Sequence, residues 1–410
     1  QLYAYYGFAY RIMEKGNKIL FLITLAALSA FGPFVTDMYL PALPNLSESF
    51  NTSTLLVQLS MGICMFGLGI GQIFVGPLSD KFGRRKPLLF SMYLFVASSV
   101  GCIFAADIYA FIAMRFLQGV AGAGGIVLSR SISSDKYSGM ELVKFLALIA
   151  AVHSIAPVAA PIAGGVSLLF APWRAIFVLL FLLGVLLLLL SHKIDESLEL
   201  SRRSKLPLAA TFALYANVVR DKVALSYILQ QAAMATVLFS YISASPFIFE
   251  NIYGFKPMEF SAVFALNAVG IGVGAAFSAK FKRRRYAVVF SGFSILCFAA
   301  LAAVCALLGA NVFLLETMLF FMMASFGIAA PAASAIVLDS QRQNAGTAAA
   351  LLGALPFFVG AVAAPIIGFG SEVVCFAALI VCGAFCAAIL SLIARRYQKI
   401  YGPTTVESEK

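Results

Sequence analysis

Charge is scarce in this chain. Asp, Glu, Lys and Arg together make up 11% of the 410 residues, against 62% hydrophobic residues. A water-surrounded fold of this length has no use for so much apolar surface, so a soluble protein is excluded and a polytopic membrane protein is implied. Histidine is nearly absent, at two residues. With no paired-Asp motif and no nucleophile elbow either, the chain offers no intramembrane catalytic set, which argues against an enzyme and leaves no catalytic residue to name. The seven cysteines (Cys64, Cys102, Cys297, Cys305, Cys375, Cys382 and Cys386) lie inside apolar runs without the spacing of metal ligands. They are expected to be small buried hydrophobes, with no disulfide and no metal site. No small-x-small cleavage site follows the first apolar run, so that run is expected to be a retained first span.

What the chain has in abundance is apolar runs of ~20 residues, the length that crosses a hydrocarbon core. About twelve are legible, at approximate limits 19–43, 55–77, 87–106, 109–131, 143–168, 173–192, 222–248, 258–280, 286–309, 312–337, 345–369 and 372–395. The longest polar interruption, 193–221, divides them into two halves of six, 19–192 and 222–396, with a tail at 397–410. Within the interruption, Leu206 to Val219 reads equally as a plain linker or as a short helix lying on the membrane face. Met13-Glu14-Lys15-Gly16-Asn17-Lys18 reads as a natural start within an N-terminal segment 1–18. The aromatic, nearly uncharged residues 1–12 before it are either foreign to the natural chain or an interfacial segment.

The formal net charge is +11. In a soluble protein this would suggest nucleic acid. Here the basic residues concentrate in one set of loops, so no nucleic-acid partner is expected and the charge is read as a topology signal. With the N-terminus inside, only Arg174 and Lys256 fall in outer loops and Arg115 lies within a span, leaving roughly 26 Lys and Arg on the cytoplasmic side. Both termini are therefore expected to be cytoplasmic.

The densest charged stretch is Gly76-Pro77-Leu78-Ser79-Asp80-Lys81-Phe82-Gly83-Arg84-Arg85-Lys86-Pro87, a short hairpin between the second and third spans. The second half carries a basic loop at the matching place, Lys280-Phe281-Lys282-Arg283-Arg284-Arg285, after glycines 270, 272 and 274 that allow close helix approach. No Asp follows the pattern there, so the repeat reads as degenerate. Two six-span halves handling a substrate between them is an arrangement of secondary transporters, and it argues against a channel, which needs a continuous polar pore.

Ionisable residues inside spans are costly and are functional candidates by default. Asp37 and Arg115 each lie about six residues from the outer end of spans 1 and 4, or ~9 Å below the outer surface. That depth match would let them face each other across one cavity, as a proton-handling acid and its tuning base, or as a static ion pair joining two helices. His153, near the middle of span 5, is open between a packing hydrogen bond and a cavity role. Glu316, about one turn inside the outer edge of span 10, reads better as a side chain snorkelling to the headgroups than as a transport residue. Tyr39, Gln58, Met61, Gln230, Gln231, Met234, Tyr241 and Asn267 complete an apolar cavity with few polar groups.

The pattern Gly76-x-Leu78-x-Asp80-x-x-Gly83-Arg84-Arg85 resembles the loop between helices 2 and 3 of major facilitator superfamily transporters. Asp37-Met38-Tyr39-Leu40-Pro41-Ala42-Leu43-Pro44 resembles span 1 of the Bcr/CflA group of drug:proton antiporters. Arg115-x-x-Gln118-Gly119 is similar to the basic motif of proton-coupled members. Ala160-Pro161-Ile162-Ala163-Gly164-Gly165 is similar to the antiporter motif of span 5, with Ala160 where Gly is usual, which implies looser packing there. The resemblance covers Lys18 to about Arg396. It implies an all-α membrane fold of twelve helices in two six-helix halves in a bacterial inner membrane. By the same resemblance Asp37 is the proton and substrate acid and Arg115 its modulator. Asp80 would bind the start of span 11 near Asn344-Ala345-Gly346-Thr347, with Arg84 and Arg85 pairing to Asp80 or Asp135 and latching the outward-facing state. The function implied is proton-driven export of drugs or other amphipathic molecules by a monomer, with no cofactor. An endogenous metabolite or siderophore is the alternative cargo.

Overall fold

The computed structural model describes residues 19–205 and 207–401, without the side chains of residues 150, 153, 154 and 208–211. The segment 1–18 and the end of the tail, from residue 402, lie outside the described residues, as does the side chain of His153. What is described is helical throughout, without strands.

Twelve membrane helices follow in order. α1 is a broken span, Ile19–Ser29 continued by Phe31–Ser49 at an angle of 43°. Then come α2 (Thr54–Phe82), α3 (Arg85–Ile103), α4 (Ile108–Lys136), α5 (Gly139–Phe170) and α6 (Arg174–His192). A linker helix, Leu208–Arg220, leads to α7 (Lys222–Pro246, prolonged by a π-helical turn Phe247–Ile252), α8 (Pro257–Ser278) and α9 (Arg284–Leu307). α10 (Val312–Ser340), α11 (Ala345–Ile367) and α12 (Glu372–Tyr401) complete the second half. By length and hydropathy ten of the described helices each suffice to cross a membrane, and the bent pair forms an eleventh. α5, 32 residues long, stands where the fifth span is expected. The protein is a multi-pass membrane protein.

Proline sets the shape of α1. Pro33 has no N–H to give to the preceding turn, and the helix bends next to it. Pro41 and Pro44 then open two new short helices, Leu40–Ala42 and Leu43–Ser49, where the missing N–H costs nothing. In consequence the turn Val35–Asp37 ends with free carbonyls inside the protein.

α2 is longer than its expected limits. At 1.5 Å per residue its 29 residues span about 44 Å, well beyond a ~30 Å core. Most of the charged hairpin is therefore helix, and the turn itself reduces to Gly83 and Arg84. Pro77 lies inside this helix and leaves the carbonyl of Ile73 without its helical donor. The linker helix supplies the replacement: Tyr215 donates its hydroxyl to Ile73 O at 3.1 Å, and Phe212 packs on Phe74. Of the two readings of this stretch, the helix is the one observed.

Glycines bring α2 onto α4 and α8 onto α10. A Cβ on Gly67 or Gly119 would meet the backbone of the facing helix, and so would one on Gly274 or Gly327. Gly272 meets nothing within 4 Å and takes no part in this approach. At the end away from the basic loops the halves touch. Gly165 of α5 abuts Met258 and Ser261 of α8, and Gly368 after α11 abuts Leu55 of α2. At the basic end a cleft of about 480 Å³ is lined by α2, α4, α11 and the linker helix.

The cysteine reading needs correction. Cys64, Cys102 and Cys305 are buried, but Cys297, Cys382 and Cys386 are exposed on the outer surface of the bundle. A lipid-facing surface is apolar too, as Phe90, Phe170 and Phe313 illustrate, so apolar character alone does not place a side chain inside.

Candidate functional site

Asp37 closes the turn Phe31–Asp37 at the break in α1. Its side chain is 5% exposed and accepts a 2.6 Å hydrogen bond from Thr36 Oγ1. Among the described residues no Lys, Arg or His forms an ion pair with it.

Arg115, fully buried on α4, does not supply that partner. Its Nη2 donates to Val35 O at 2.8 Å, one of the carbonyls freed by the break in α1, and its Nη1 donates to Gln118 Oε1. The guanidinium lies over the Tyr39 ring, 4.2 Å from its centre. Gln118 in turn donates from Nε2 to Ser99 Oγ on α3. Of the two readings of this pair, the static ion pair between Asp37 and Arg115 is thus not the one observed. The free C-terminal carbonyls of a helix attract a cation, and here they hold the arginine.

Of the three motif positions of α5, Gly164 lies beside this break. A Cβ on Gly164 would run into the carbonyl of Met38, next to Asp37, while Gly165 touches the other half. Ala160 is fully buried. Pro161 stands inside the helix, a turn before the glycines.

The other expected cavity residues divide into groups. Tyr39 is buried under Arg115, with its hydroxyl unpartnered among the described residues. Gln58 donates from Nε2 to Ser243 O at 2.7 Å, and Ser243 Oγ donates to Met61 Sδ at 3.7 Å, so both join α2 to α7 across the halves. Gln230, Gln231 and Met234 are buried on α7, and neither amide atom of Gln230 has a partner among the described residues. Tyr241 and Asn267 are brought together at 2.9 Å.

The hairpin is a clasp of charges. Arg84 is buried and bonds Ser79, Asp80 and, at 2.9 Å, Asp135 at the end of α4. Arg85 takes neither acid and donates to His192 O at 3.1 Å. Gly83 has φ +90, which favours glycine, and a Cβ there would push aside the carboxylate of Glu196. Asp80 lines the cleft together with Gly76 and with Gly346 and Thr347 of α11, but no hydrogen bond among the described residues joins Asp80 to that helix.

Residues 25–365 match the Major Facilitator Superfamily. The chain belongs to that family. It is therefore a transporter and not an enzyme. It is 35% identical over 358 residues to an uncharacterized MFS-type transporter, YdgK, of Bacillus subtilis (strain 168), covering 84% of this chain and 87% of that protein. It is 28% identical over 359 residues to a bicyclomycin resistance protein homolog of Haemophilus influenzae, covering 85% and 89%. Its fold is similar to a bacterial homolog of the human lysosomal transporter Spinster, with TM-score 0.76, 16% identity, and 93% and 98% of the two chains covered.

Two features of this transporter escaped the sequence reading. Glu196, just after α6, accepts from the backbone N–H of Arg84 at 2.8 Å and of Arg85 at 3.3 Å, sealing the start of α3. Partial burial works to raise its pKa, but the N–H groups of Arg84, Leu198 and Arg85, with the charge of Arg203, hold it below the ordinary carboxylate value. The second feature is Asp339. Arg284 at the start of α9 bonds it at 2.7 Å at the end of α10, as Arg84 bonds Asp135 between α3 and α4. The repeat of the basic loop is thus less degenerate than its pattern suggests, because the acid comes from another helix.

Glu316 also differs from expectation. Its carboxylate does not reach for the membrane surface. Oε1 accepts a 2.8 Å hydrogen bond from Asn267, about ten residues and ~15 Å of helix rise from the start of α8.

Proposed function

We propose that this transporter is a proton-coupled exporter of drugs or other amphipathic small molecules, an antiporter of the Bcr/CflA kind that works by alternating access. The carrying observation is Asp37: a buried carboxyl at a helix break, with no cationic partner among the described residues. A buried carboxyl left unpaired by the protein is balanced either by a proton or by a cationic group of the cargo, and that choice is the basis of exchange. Arg115 supports Asp37 indirectly in this reading, by fixing the carbonyls of the broken α1. The resemblance of the drug-resistance relative speaks for the cargo class. The proton gradient is the power source, and no cofactor is required. The setting is a bacterial inner membrane, with a monomer whose two termini and basic loops face the cytoplasm.

The open cleft at the basic end then corresponds to an inward-facing state. When it closes, Asp80 and Gly76 approach the first turn of α11, whose free N–H groups suit a carboxylate. Drug susceptibility of an efflux-deficient host, together with drug-induced proton release from purified protein, tests the reading. Wild type should confer resistance and release protons, while Asp37→Asn should do neither. Proton release undiminished in Asp37→Asn would sink it.

A further inference from the structure

Three helices of the second half converge on one carboxylate. Asn267 of α8 is 1% exposed. Its Nδ2 donates to Glu316 Oε1 of α10 at 2.8 Å and to the Tyr241 hydroxyl of α7 at 2.9 Å. Two acceptors in this group are buried and unpartnered among the described residues: Glu316 Oε2 and Asn267 Oδ1. No Lys, Arg or His forms an ion pair with Glu316 among the described residues.

An unpaired carboxylate oxygen and an unpaired amide oxygen on two bonded side chains want donors, and the carboxylate a charged donor most of all. We infer that Glu316, Asn267 and Tyr241 form a recognition site for the protonated amine of the cargo. The inference rests on the exporter reading and names its substrate class: amphipathic organic cations bearing an N–H. Tyr241 and Phe264, stacked with ring centres 5.5 Å apart, offer an aromatic surface beside the carboxylate for the apolar part of such a molecule. Oε2 is shut off from solvent in this conformation, so the amine reaches it only when the surrounding helices part.

The test is binding to purified full-length protein in detergent, read by fluorescence. The probes are dansylcadaverine, a protonated amine, and its neutral N-acetyl derivative. Wild type should prefer the amine by about tenfold or more, the scale of one charge-assisted hydrogen bond. Glu316→Gln keeps the shape and the bond from Asn267, and should lose the preference while holding the neutral probe within about twofold of wild type. Glu316→Asp, which keeps the charge, should retain most of the preference. Wild type without preference, or Glu316→Gln with it intact, overturns the inference. So does equal loss of both probes in Glu316→Gln, which marks a merely structural residue. No gradient enters these measurements. An amine preference without drug-induced proton release would keep this site and sink the antiport reading, and proton release without amine preference would do the reverse.

Discussion

Arg115 donates to the carbonyl of Val35 and not to the carboxyl of Asp37, although counting residues along spans 1 and 4 puts the two at matching depth. The break in α1 creates the acceptor, and the arginine fixes the break. Arg115 is therefore a brace for the backbone that carries Asp37.

Removing that brace should cost stability. Arg115→Ala leaves Val35 O and Gln118 Oε1 without donors, and hydrogen bonds of a charged group contribute about 1.5–3 kcal/mol each. Its melting temperature in detergent should fall clearly. Arg115→Lys, which replaces one bond at best, should fall between it and wild type. A melt of Arg115→Ala indistinguishable from wild type would contradict the bracing role.

The two repeated Arg–Asp pairs should differ in weight. Arg84 and Asp135 have side chains 10% and 7% exposed, whereas Arg284 and Asp339 are 56% and 52% exposed. Arg84→Ala leaves a buried carboxylate uncompensated, at about 3–5 kcal/mol. Arg284→Ala breaks a surface pair contributing at most about 1 kcal/mol. Denaturation of the two variants should show this order, and equal effects would refute it.

The clasp at Glu196 should loosen in acid. Its pKa in the folded clasp lies below the ordinary value of 4.5. The stabilisation is therefore fully present above 4.5 and is lost as pH falls through the lower, folded value. Limited proteolysis between residues 193 and 207 should accelerate across that window. In Glu196→Gln cleavage should be fast already at neutral pH and nearly flat with pH. A wild-type profile in this variant would mean that the carboxylate does not hold the segment.

Gly164→Val should separate α5 from α1. The added carbons have no room beside Met38 O, a backbone atom that cannot rotate away, and overpacking of this kind costs roughly 1–3 kcal/mol. Transport should fall further than stability, because Met38 adjoins Asp37. A cysteine at Ser261, beside Gly165, should become more reactive to an impermeant thiol reagent in intact cells. Unchanged labelling together with normal transport would show that the close approach is dispensable.

The positions of the helices were legible because crossing a membrane demands ~20 apolar residues, and little else in a chain looks like that. The hairpin was legible because its glycine, acid and arginines sit within ten residues of one another, from Gly76 to Arg85. The antiporter-like glycines of α5 were legible as small residues, and their neighbours were not. Glu196 is 112 residues from the amide it caps, and Tyr215 is 142 residues from the carbonyl it repairs. Such pairs leave no local pattern. Glu316 was misread because sequence gives the depth of a Cα and not the direction of its side chain.

Sequence alone determined the order of the helices, the two halves and the concentration of charge at one end, since each follows from the solvent that a segment must meet. The tertiary structure decided which carbonyl Arg115 holds, that Glu316 turns inward to Asn267, and which cysteines face lipid. In a bilayer the outside of a helix is as apolar as its core, so the pattern that orients a helix in water is missing, and only packing against the other helices sets its rotation.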